Sequence, residues 1–103
     1  MRLDILQVPD CPNAPLLRQR LQDAFGDVDL EVAVQVIDDP AVAVRAGMTG
    51  SPTLLVDGID PFAEPGLAAN VSCRLYRDAD GRVSGAPSVS QLRQALLGQN
   101  PSR

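Results

Sequence analysis

The residues of this chain best suited to covalent chemistry are its two cysteines, Cys11 and Cys73. None of the 103 residues is histidine, which excludes Ser-His-Asp and Cys-His catalysis and any histidine-ligated metal. Two cysteines are too few to close a zinc site within one chain. Chemistry must then rest on thiols, carboxylates and arginines. Of these, a thiolate is the strongest nucleophile, and its formation depends on where the cysteine sits.

Cys11 lies in Val8-Pro9-Asp10-Cys11-Pro12-Asn13-Ala14-Pro15. The segment stands between an apolar run, Leu3 to Val8, and a helical pattern from Ala14 to Phe25 in which Leu17, Leu21 and Phe25 recur every four residues. A helix start offers unpaired N–H groups and about half a positive charge, which stabilise a thiolate. Pro12 is compatible with the first turn, where its missing N–H was free anyway. Asp10 works against activation if its carboxylate faces the sulfur. The competing reading is a buried thiol that fills space, to which a cysteine flanked by prolines at a loop edge is poorly suited. Cys73 stays open between a second working thiol and a small core residue on a strand. A bridge to Cys11 requires Cα atoms within about 7 Å.

The elements that must position these groups follow from periodicity and breakers. Leu30 to Ile37 alternates, with Leu30, Val32, Val34 and Val36 on one face, and predicts a strand. Asp38-Asp39-Pro40 leads into a short helix, Ala41 to Ala46, closed by Gly47. Thr49-Gly50-Ser51-Pro52 breaks the chain before a strand, Thr53 to Val56, and Asp57-Gly58 makes a tight turn. Asp60 to Asn70 reads as a long loop, a feature often tied to function. On it, Phe62 either covers the sulfur, forms part of a partner-binding patch, or plugs the core edge. Val71 to Arg77 predicts the last strand, and Ser88-Val89-Ser90-Gln91 a capping box opening the final helix. Arg18 and Arg74 are either solvated or steer an anionic thiol.

Composition bounds the rest. A hydrophobic fraction of 45% suits a globular protein, and with 3% aromatics the core must be aliphatic. The length fits one domain, expected over residues 1–98 with a frayed tail at 99–103. A net charge of −4 disfavours nucleic acid as a partner. No apolar run approaches the roughly 18 residues of a membrane helix, and no apolar signal segment follows Met1, so a cytoplasmic protein without membrane contact is expected. Nothing in the residues calls for a cofactor or a metal.

The element order, strand-helix-strand-helix-strand-strand-helix, is that of the minimal thioredoxin fold. The segment Val8 to Pro15 resembles the Cys-Pro-x-Cys-Pro motif of small bacterial thioredoxin- and glutaredoxin-like proteins and selenoproteins, with Ala14 in place of the second cysteine. Gly50-Ser51-Pro52-Thr53 resembles the segment that carries a cis-proline opposite the reactive cysteine in that family. The resemblance implies an α/β domain with a four-stranded mixed sheet (βαβαββα) flanked by helices. It also implies substrate contacts at Pro12, Ser51, Pro52, Thr53 and Phe62.

The expected activity is thiol–disulfide exchange with Cys11 as nucleophile, resolved by Cys73 or an external thiol. The expected partner is a thiol- or disulfide-bearing protein or a low-molecular-weight thiol. Two alternatives stand beside it. One is a binding module that has lost turnover, supported by Ala14. The other is organomercurial or thiol–metal handling by Cys11 and Cys73 with Asp10 as acid, because Asp60-Pro61-Phe62 and Ser72-Cys73-Arg74 resemble a bacterial group some of whose members carry that label.

Overall fold

The computed structural model describes residues 2–26, 31–64, 66 and 68–98. Leu30 and the tail at 99–103 lie outside the described residues. The chain runs β1 (Arg2–Gln7), α1 (Asn13–Phe25), β2 (Glu31–Val36), α2 (Pro40–Ala46), β3 (Thr49–Ser51), β4 (Thr53–Val56), β5 (Asn70–Cys73), β6 (Tyr76–Arg77), β7 (Val83–Ser84) and α3 (Val89–Gly98).

β1 is central because its apolar residues serve both of its faces. Leu3 and Ile5 point to one side, where they join Leu54 and Val56 of β4, Leu17 and Leu21 of α1, and Leu92 and Leu96 of α3. Leu6 points to the other side and packs with Ile37, Met48 and Ala43 of α2. Full burial of each such side chain is worth about 1.5–3 kcal/mol, and this aliphatic packing holds the helices on the sheet. β1 pairs parallel with β2, as expected of a strand-helix-strand unit, and antiparallel with β4.

Local signals set the ends of the elements. Asp39 caps α2, its carboxylate accepting from the Ala41 N–H at 2.9 Å, and Gly47 closes that helix at φ 80°. Ser88 and Gln91 form the capping box, at 2.9 and 3.1 Å. Arg20 of α1 reaches the carbonyls of Ala86 and Pro87 and the Ser84 hydroxyl, and so ties the segment before α3 to α1.

Among the described residues the four-stranded thioredoxin-type sheet does not form. The strands make a three-stranded sheet, β2-β1-β4, and two separate pairs, β3-β5 and β6-β7. The expected strand Val71 to Arg77 divides in two. β5 runs parallel to β3, and β6 forms an antiparallel hairpin with β7. The physical cause lies at Arg74. Its backbone N–H donates to the Ser51 carbonyl at 3.0 Å, and its guanidinium turns inward to Asp60. Residues 70–74 are thereby held on β3, and the chain departs through exposed Leu75 before Tyr76 pairs with Ser84. No helix among the described residues is long and apolar enough to cross a membrane.

Candidate functional site

The first part of the site is a turn. The Cys11 N–H donates to the Val8 carbonyl at 3.3 Å, closing a four-residue turn over Pro9 and Asp10. Proline presets the second position, and Asp10 takes φ 56°, a conformation that aspartate tolerates better than most residues. The turn leaves the Asp10 side chain exposed and turns Cys11 inward, where the residue is 5% exposed. The Cys11 carbonyl accepts from the Ala14 N–H at 3.4 Å, which places the thiol just before the first turn of the 13-residue helix α1. Pro12, at the N-cap, is exposed and supplies no side-chain cap. Cys11 is one of the buried core residues, which is the placement a space-filling thiol takes.

The second part is the break before β4. Ser51–Pro52 is a cis peptide. The Ser51 hydroxyl accepts from the Val8 N–H at 3.0 Å, so the Pro52 segment is bonded to the residue that opens the Cys11 turn. Thr53 turns its hydroxyl back into its own loop, donating to the Gly50 carbonyl at 2.6 Å and accepting from the Thr49 N–H at 3.2 Å. The buried Tyr76 hydroxyl donates to the Pro52 carbonyl. Burial pushes the Tyr76 phenol well above the ordinary tyrosine range. Arg74 counteracts that rise, while the charges of Asp60 and Cys11 add to it. Tyr76 thereby anchors the Pro52 segment.

A buried ion pair supports this arrangement. Arg74 and Asp60 meet at 2.7 Å, with side chains 6% and 10% exposed. The guanidinium also donates to the Thr49 hydroxyl at 2.9 Å and the Phe62 carbonyl at 2.8 Å, and it lies 4.6 Å over the Tyr76 ring. Asp60 accepts from the Phe62 N–H at 2.8 Å. Phe62 meets Tyr76 edge-on, with ring centroids 5.7 Å apart, and packs against the larger apolar cluster. Gly50 makes room for all this: at φ 119°, a Cβ there would lie 2.7 Å from the Arg74 Cβ.

Cys73 enters through register. Its Cα partner across the β3–β5 pair is Ser51, the residue before Pro52. The long loop thus brings the second thiol back beside the Pro52 segment. Cys73 is exposed and lines a cleft of about 380 Å³ together with Phe62, Asn70, Arg74, Tyr76 and Gln91. Cys11 does not line that cleft. Both cysteines are free thiols. Among the described residues, no three His, Cys, Asp or Glu side chains converge as a metal site.

The structure thus links the Cys11 turn to Ser51 through the Val8 N–H and sets Cys73 across from Ser51 in the β3–β5 register, while of the two thiols only Cys73 lines the cleft. The Ser51 and Thr53 hydroxyls are engaged in holding loops together, and Phe62 is half-buried packing. Arg18 is solvated, whereas Arg74, read from sequence as solvated or steering, is neither. Tyr76, Asp60 and the structural role of Arg74 escaped the sequence reading. One signal did point to Tyr76: it is the only tyrosine, and a buried tyrosine hydroxyl needs a partner. Comparison with protein families, with curated proteins and with solved structures finds no match to this chain.

Proposed function

We propose that this protein carries out thiol–disulfide exchange with Cys11 as the nucleophile. The observation that supports it is a buried thiol just before the start of α1, in a turn whose first residue, Val8, is hydrogen-bonded to Ser51 next to Pro52. The Cys11 thiolate attacks one sulfur of a disulfide, forms a mixed disulfide and expels the other sulfur as thiolate. A second thiol then attacks the mixed disulfide and releases the remaining half of the substrate. Cys73, register-paired with Ser51, is one source of that thiol, and a low-molecular-weight thiol is the other. Two free thiols suit a reducing, cytoplasmic compartment. The relation to thioredoxin-like proteins belongs to this reading and rests on the Cys11 and Pro52 motifs, not on the sheet.

The test is the rate at which a small aromatic disulfide reacts with the native protein at neutral pH. Cys11 should react faster than an unstructured peptide cysteine, and Cys11→Ser should abolish the fast phase. Without external thiol, a mixed disulfide at Cys11 should clear in the native protein and persist in Cys73→Ser if Cys73 is the resolver, and should persist in both until external thiol is added if it is not. A native-state rate no greater than that of the peptide overturns the proposal.

A further inference from the structure

We propose that β2 is the surface through which two copies of this chain associate, pairing antiparallel about a two-fold axis at Val34. The two three-stranded sheets then join into one continuous sheet. Every residue of β2 is exposed. One edge of the strand is paired with β1 in unbroken register from Glu31 to Val36, and among the described residues no strand meets the other edge. Register places Val32, Val34 and Val36 opposite Leu3, Ile5 and Gln7. The valines therefore lie on the side of the sheet that α1 and α3 cover at β1, yet they remain 41%, 45% and 57% exposed.

Edge strands are ordinarily protected by a lysine, a proline, a bulge or an inward charge. Between Val32 and Val36 this strand has none of these, and its one charge, Glu31, stands at its end. Such an edge fits a strand with β-branched side chains on alternate residues and no charge at its middle. A second β2 meets that requirement. In the antiparallel alignment Val34 faces Val34, Val32 faces Val36, Ala33 faces Gln35, and Glu31 falls opposite Ile37, so no like charges are opposed within β2, although Asp38 and Asp39 follow just beyond the partner's Glu31 at each end. An in-register parallel alignment instead sets Glu31 beside Glu31. Identical strands thus select the antiparallel, self-complementary pairing of a two-fold dimer.

Sedimentation of the full chain under reducing conditions, from about 1 µM to about 1 mM, tests this. A monomer–dimer equilibrium is expected in that range, with amide exchange at residues 32–36 slowing as concentration rises. Each copy carries −4, so added salt should strengthen association. Val34→Lys places two ammonium groups at the axis and should weaken the dimer at least about a hundredfold. The milder Val34→Thr, which keeps a β-branched side chain, should weaken it several-fold and serves if the lysine variant does not fold. A chain that stays monomeric throughout overturns the proposal, as does a dimer unaffected by either folded variant.

Discussion

The region around Pro52 and the outer edge of β2 solve opposite problems. Around Pro52, nearly every polar group has a partner within the chain: Arg74 with Asp60, Thr49 and Phe62; Tyr76 with Pro52; Ser51 with Val8; Thr53 with Gly50. Along β2, an edge of backbone groups and a row of valines face outward with no strand against them among the described residues. The first region is over-determined, and each bond there helps fix the geometry between the Cys11 turn and the break before β4. The second is under-determined, and a second chain is free to complete it. Damage to the two regions should therefore register in different measurements.

The largest effect is expected from Arg74→Met. It leaves the Asp60 carboxylate buried without its partner, and breaking a buried pair in this way costs about 3–5 kcal/mol. Denaturant unfolding should show it, and the double variant Asp60→Asn/Arg74→Met should recover part of the loss. Next comes Gly50→Ala, which combines a φ of 119° with a Cβ 2.7 Å from that of Arg74 and should cost about 2–4 kcal/mol. Stability unchanged within about 0.5 kcal/mol in either variant would show that the polar network does not fix this region.

Tyr76→Phe leaves the Pro52 carbonyl unpaired and should cost about 1–3 kcal/mol. It also carries a pH signature. The folded phenol titrates above the unfolded one, so above about pH 10 the unfolded chain releases a proton that the folded chain keeps. Stability from this group is therefore complete below that pH and is lost as pH rises further. The phenylalanine variant should lack that alkaline loss. With a single tyrosine and no lysine in the chain, ultraviolet titration reads the group directly. The smallest effect belongs to the edge. Val34→Lys should change the stability of the monomer by no more than about 0.5 kcal/mol while it alters association.

Much of the local structure was legible from residue types. The Cys11 turn follows from proline and aspartate side by side, the ends of α2 from Asp39, Pro40 and Gly47, and the start of α3 from Ser88 and Gln91. Each of these is set by residues within four positions of one another. Val71 to Arg77 misled because its residues show no breaker. Arg74 interrupts the strand only through Asp60, 14 positions earlier. The alternation in β2 was read correctly as a strand, but it gave no sign that every residue of that strand is exposed.

For the candidate site, the sequence supplied Cys11, Pro52 and the absence of histidine, which left thiols, carboxylates and arginines as the groups able to do chemistry. It did not supply Tyr76 or the position of Cys73. Those depend on how a long loop returns, a matter of which distant groups pair once water is excluded. Turns, caps and strand periodicity are local, so the sequence by itself determined them. The division of the last strand, the return of Cys73 to Ser51 and the bare edge of β2 were decided only by the tertiary structure. They come from a buried ion pair and from the packing of helices on a three-stranded sheet, and neither exists until the chain has closed.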